Sequence, residues 1–205
     1  MDQLNIPYIT LLDFDRERGG GDWGRIKYVL KQLLKIDRIK KEDFILTSGK
    51  ILSDVELESM HTWKVNKLNK DDSKVKSWIN LFEKYNIYFS YPVDLDFSMF
   101  LKFPEAYKNI EVGKGPKISA ETESIKSAIA SVLKKENKYV ENISEYEIDD
   151  NYDVWFWYRY LFLGKGKPVS HLNALLKIGE EDIKERAPKE LGKLVLKAKK
   201  LLGEE

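Results

Sequence analysis

Short apolar runs alternate with longer amphipathic stretches along this chain, and each change of period predicts an element. Tyr8 to Leu12 is apolar and rich in β-formers and stops at Asp13, which predicts a strand. Beyond a loop from Arg16 to Gly21, the residues Trp23, Ile26, Leu30, Leu33 and Leu34 recur at helical spacing. A helix is predicted to about Leu34, with Asp22 as its N-cap. Phe44 to Thr47 is a short strand candidate, and Ser53 to Trp63 is weakly helical. Asp72 to Tyr85 is a clear amphipathic helix on Val75, Trp78, Ile79, Phe82 and Tyr85, and it runs into a second strand, Ile87 to Tyr91. Phe97 to Tyr107, with Pro104 inside it, predicts a short helix and a loop. Gly113 to Lys117 reads as a linker.

Helices are predicted again over 120–136 and from Lys189 to Leu202. Between them, Glu141 to Asp153 is an acidic run expected in a solvated loop. Val154 to Leu176 packs in Trp155, Phe156, Trp157, Tyr158, Tyr160 and Phe162. A helix with aromatics on nearly every side is expected between layers.

Chemistry concentrates where the two strands end. The first runs into Asp13-Phe14-Asp15 and the second into Asp94-Leu95-Asp96. Side chains two apart on a strand share a side, with Cα atoms about 6 to 7 Å apart. Each pair therefore presents two carboxylates together. Two like charges brought together need neutralising, and an all-oxygen donor set suits a hard divalent cation such as Mg²⁺ or Mn²⁺. Strands joined through helices pair in parallel, which brings both acidic ends to one edge. Gly19-Gly20-Gly21 permits positive φ and close backbone approach, and the following helix start suits a phosphate.

Composition narrows the class. The 205 residues can bury a sizeable core, and 42% hydrophobic with 12% aromatic residues argues for a folded globule. Without cysteine there is no disulfide, thiolate ligand or thiol nucleophile, which fits a cytoplasmic protein. No apolar run reaches the roughly 18 residues of a membrane span, and no P-loop motif occurs. A net charge of +1 leaves nucleic-acid contact to local patches or to another chain.

The string LLDFDRERGGGDWGRIKYVLKQL closely resembles the segment that follows the central acidic strand in OLD-family nucleases (overcoming lysogenization defect), which include the nuclease subunit of Gabija anti-phage systems. Residues 86–107 and 160–176 extend the resemblance. It implies a TOPRIM-like α/β fold: a partial parallel sheet flanked by helices over 1–112, then a mostly helical region over 113–205. It implies a Mg²⁺- or Mn²⁺-dependent DNA endonuclease with a two-metal site on Asp13, Asp15, Asp94 and Asp96. A lysine after the helical region would reach into that site, and Lys165 and Lys167 are named together with Lys167 favoured. In that family a strand bearing a catalytic glutamate precedes the first acidic strand. Here only Met1 to Pro7 precede it, so an ATPase module and the N-terminal TOPRIM half are expected on another chain or segment, in an oligomer without membrane attachment.

The alternative reading is a catalytically incomplete assembly or DNA-binding module that needs a partner chain. An aspartyl phosphatase of the haloacid-dehalogenase type is disfavoured by Glu17, where Thr or Val would stand. His61 and His171 are expected to pack or cap rather than ligate.

Overall fold

The computed structural model describes residues 7–203, except Thr47, Asn69 and Asp71. Its sheet is a parallel pair, β1 (Thr10–Asp13) beside β2 (Ile87–Ser90), with Asp13 opposite Ser90. The crossover between them contains α1 (Trp23–Lys35), α2 (Asp54–Ser59) and α3 (Ser73–Glu83). After β2, Tyr91-Pro92 is a cis peptide, and the chain enters α4 (Leu95–Lys102) and α5 (Pro104–Lys108). Then come α6 (Thr122–Leu133), α7 (Asp153–Tyr158), a π-helical turn over Arg159–Gly164, α8 (Lys167–Leu175), α9 (Glu180–Arg186) and α10 (Lys189–Leu202). The fold is mixed α/β: a small parallel sheet with helices around it.

Two apolar cores divide the chain. One gathers Phe14, Ile26, Leu30, Leu33, Phe82 and Phe89 from the strands, α1 and α3. The other gathers Phe97, Phe100, Ile129, Leu133, Trp155 and Phe162 from α4, α6, α7 and the π turn. The changeover falls after β2, between Tyr91 and Val93. The aromatic run is interior, as its density requires: Trp155 is fully buried and Tyr158 nearly so. Fully burying a large side chain is worth about 1.5–3 kcal/mol, so this stretch anchors the second core.

Three local expectations change. Phe44–Thr47 forms no ladder; Ile45 makes a single antiparallel bridge to Ile51, and Thr47 lies outside the described residues. Residues 97–107 are helical on both sides of Phe103, because Pro104 at the first position of α5 starts a helix without needing its missing N–H. Asp22 precedes α1 but does not cap it. Its Oδ2 accepts from the Glu17 amide at 2.6 Å instead.

Candidate active site

The parallel register delivers both acidic motifs to the same sheet edge. Asp13 ends β1, and its Oδ1 accepts from Ser90 Oγ at 2.8 Å and from the Leu95 amide at 3.3 Å. Asp94 is the N-cap of α4: its Oδ1 accepts from the Phe97 amide at 2.8 Å, and Asp96 follows in the first turn. Gly21 lets the loop close beneath. A Cβ there would stand 1.8 Å from the Asp15 carbonyl oxygen, so only glycine fits. The first amides of α1 turn back onto this loop, with Gly24 donating to Gly21 and Arg25 and Ile26 to Asp22.

Arg18 organises the interior of the site. Its Nη1 reaches Asp15 Oδ1 at 2.9 Å and Asp94 Oδ2 at 2.7 Å, its Nε donates to the Val132 carbonyl at 3.0 Å, and its Nη2 meets Tyr158 Oη at 3.2 Å. Tyr158 in turn donates to Asp94 Oδ2 at 2.6 Å, which fills that carboxylate. Arg25 pairs with the remaining oxygen of Asp15. Burial pushes the Asp15 pKa up, but hydrogen bonds and charge from Arg25 and Arg18 outweigh it and hold the carboxyl below its ordinary value. Burial pulls the Arg18 pKa down, and Asp94, Asp15 and Tyr158 more than reverse that. Burial and the Asp94 charge both push the Tyr158 phenol up, keeping it a donor.

The outer carboxylates differ. Asp96 Oδ1 lies 2.8 Å from His171 Nε2, and Asp96 Oδ2 forms an ion pair with the Lys167 ammonium. A carboxylate only accepts, so His171 Nε2 carries the hydrogen and Nδ1 accepts from the Tyr107 hydroxyl at 2.6 Å. Burial pushes the Asp96 pKa up, and contacts with His171 and Lys167 bring it below the ordinary range. Partial burial pulls the Lys167 pKa down, but Asp96 first, then Asp94 and Asp13, hold it above its usual value. This ammonium therefore sits in the combined field of three of the four aspartates. Lys165, two residues earlier, lies over the Tyr160 ring at 4.8 Å instead.

The four-carboxylate arrangement expected from the sequence thus divides. Asp15 and Asp94 are saturated by Arg18, Arg25, Tyr158 and the Phe97 amide. Asp13 is exposed, and Asp96, though buried, is held by the half-exposed Lys167 and by His171. Among the described residues, no three His, Cys, Asp or Glu side chains form a group placed to hold a metal ion. As packed, Lys167 and His171 occupy the oxygens of Asp96, and Ser90 with the Leu95 amide occupies Asp13 Oδ1. Asp15 and Asp94 fit a cation only with Arg18 withdrawn.

The run Asp-Arg-Glu-Arg carried a signal beyond its aspartate. Arg16 is buried and donates to the Asn66, Lys67 and Lys70 carbonyls at 3.1, 2.8 and 2.9 Å. Glu17 accepts from the Leu68 amide at 3.0 Å, Tyr146 Oη at 2.6 Å and Lys135 Nζ at 2.8 Å. Three charged residues in a row beside an apolar strand are unusual to bury and mark such a hub. His61, by contrast, is exposed and lies 3.4 Å from Lys27 Nζ, a surface position rather than a packed one.

Fold and site together define an α/β protein with a carboxylate-lined strand edge bridged by arginine and lysine. No family model, no curated protein and no solved structure matches this chain.

Proposed function

We propose that this chain is the catalytic part of a metal-dependent DNA endonuclease of the OLD/TOPRIM type, working within an ATPase-regulated phage-defence assembly. The observation that carries this reading is the convergence of Asp13, Asp94, Asp96 and Lys167 on one edge of the parallel pair. Asp13 and Asp96 would hold Mg²⁺ or Mn²⁺, with Asp94 and Asp15 joining them where Arg18 withdraws. Such an ion would activate water and stabilise the leaving oxygen of a phosphodiester.

Lys167, freed from Asp96 by an arriving phosphate, would offset the charge that develops on it. His171 and Tyr107 would keep the Asp96 carboxylate oriented through the exchange. The loop Arg16 to Gly21 holds the edge rigid through its buried arginines.

One observation favours a second reading, an assembly or DNA-binding module that needs a partner chain. Arg18 and Arg25 already neutralise Asp15, and Arg18 with Tyr158 neutralises Asp94.

Nicking of supercoiled plasmid by the 205-residue chain, with Mg²⁺ or Mn²⁺ and with EDTA as control, separates the two. Metal-dependent nicking that disappears in Asp13→Ala and Lys167→Ala supports the nuclease. Nicking that survives Asp13→Ala overturns the site, and inactivity with either metal favours the assembly module.

A further inference from the structure

On the flank of the first core lies a cavity of about 770 Å³, within the roughly 300–1,000 Å³ usual for small-molecule sites. Helix α3 is two-faced around it. Val75, Ile79 and Phe82 enter the core, while Lys74, Ser77, Trp78, Leu81 and Lys84 form a second stripe at helical spacing that lines the cavity. The opposite walls supply Phe44, Trp23 and Trp63.

These rings are ordered in pairs. Phe44 stacks on Trp78 with centroids 5.6 Å apart and planes 23° apart, and Trp23 meets Trp63 edge-on at 5.1 Å. The Trp23 indole donates to the Lys64 carbonyl at 3.1 Å, fixing a third lysine at the wall. Lys64, Lys74 and Lys84 are all exposed, so each ammonium is reachable from solvent. The one carboxylate of the lining among the described residues, Asp43, accepts from the Lys40 amide at 3.0 Å, which ties it into its own turn.

Partly buried tryptophan faces combined with three cations complement a flat ring that carries negative charge. Aromatic faces stack any base, lysines serve phosphate as point charges, and Ser77 and Asn80 offer hydrogen bonds to ring edges. We infer that this cavity binds a nucleobase bearing a phosphate, supplied either as a free nucleotide or as one residue of single-stranded DNA. The site shares no residue with the aspartate edge and stands whether or not the chain is a nuclease.

Calorimetric titration of the full chain with adenosine monophosphate and, separately, with a short thymidine oligonucleotide tests it, with tryptophan quenching as a second readout. Binding of the mononucleotide supports the site with a free nucleotide as ligand, and binding of the oligonucleotide alone supports it with a DNA strand as source. In either case Trp78→Ala weakens binding about tenfold. The Lys74→Ala/Lys84→Ala double variant, which alters only exposed side chains, weakens it several-fold and flattens its salt dependence. Should Trp78→Ala fail to fold, the lysine variant decides. Failure of both probes to bind, or unchanged affinity in the lysine variant, overturns the inference.

Discussion

Asp15 and Asp94 on one side, and Asp13 and Asp96 on the other, come from the same two motifs and end in opposite surroundings. The inner pair is sealed: Asp94 is 1% exposed, and every oxygen of the pair has a cationic, phenolic or amide partner. Of the other two, Asp13 is exposed, while Asp96 is as buried as Asp15 but is partnered by the half-exposed Lys167 and by His171 instead of an arginine. Alternation along a strand would put both members of a motif on one side, but β1 ends at Asp13, Asp15 turns away in a left-handed conformation (φ 54°), and Asp94 and Asp96 lie at the start of α4, so that expectation fails. Nor does alternation decide which is walled in, because the walls come from Arg18, Tyr158 and α4. Asp15 and Asp94 hold the edge together, and the proposed chemistry falls to Asp13 and Asp96.

The largest effect comes from breaking the seal. Arg18→Met leaves Asp94 buried and uncompensated, and a loss of about 3–5 kcal/mol is expected in urea unfolding. Adding Asp94→Asn to that variant recovers part of the loss, because the stranded charge is then gone.

A fifth carboxylate adds a contrast through pH. Burial pushes the Asp22 pKa up to about 7, and the Glu17 amide, which holds it back, does not offset that; Asp22 Oδ1 has no hydrogen-bond partner among the described residues. A raised native pKa means the folded state prefers the proton, so Asp22 costs stability progressively as pH rises from about 4 to 7. The full cost above pH 7 is about 4 kcal/mol. Asp22→Asn keeps the acceptor for Glu17 and tolerates the positive φ of 49°. It is expected to flatten stability between pH 4 and 7 and to raise it at pH 8. Asp15 and Asp96 have the opposite sign. Their pKa values lie below the ordinary carboxylate value, so their stabilisation is full above about pH 4 and is lost as pH falls further.

At the rim, Lys167→Ala is expected to lower plasmid nicking by about 10²–10³ with little change in unfolding midpoint. Tyr158→Phe removes one donor from the sealed Asp94 and costs about 1.5–3 kcal/mol. Lys165→Ala, which removes an ammonium lying over the Tyr160 ring, is expected to change stability by less than about 1 kcal/mol and to leave nicking unaltered.

Much of this was legible in the chain itself. Apolar periodicity located β1, α1, α3, β2, α6 and α10 to within a few residues, and the two strand-end motifs located the edge. Local pattern could not show the partners of the carboxylates. Arg18 meets Asp94 across 76 residues, and Tyr158 and Tyr107 meet Asp94 and His171 across 64 each. Density marked the Tyr158 helix as interior, yet which of its aromatics would turn a hydroxyl toward the edge depends on how α7 packs on α4. Asp22 departed from its expected capping role because its backbone, at φ 49° and ψ −123°, lies outside the extended range of an N-cap and its carboxylate accepts from the Glu17 amide instead. His171 matched a packing histidine by sequence, and its contact with Asp96 follows from α8 packing on α5 and the π turn.

Manganese binding, followed by electron paramagnetic resonance on the native chain and on Asp13→Ala, Asp96→Ala and Lys165→Ala, tests the division between inner and outer carboxylates most directly. The account predicts Mn²⁺ binding to the native and Lys165→Ala proteins and its loss in both aspartate variants. Absence of binding to the native chain, or binding undiminished by Asp13→Ala and Asp96→Ala, would contradict it.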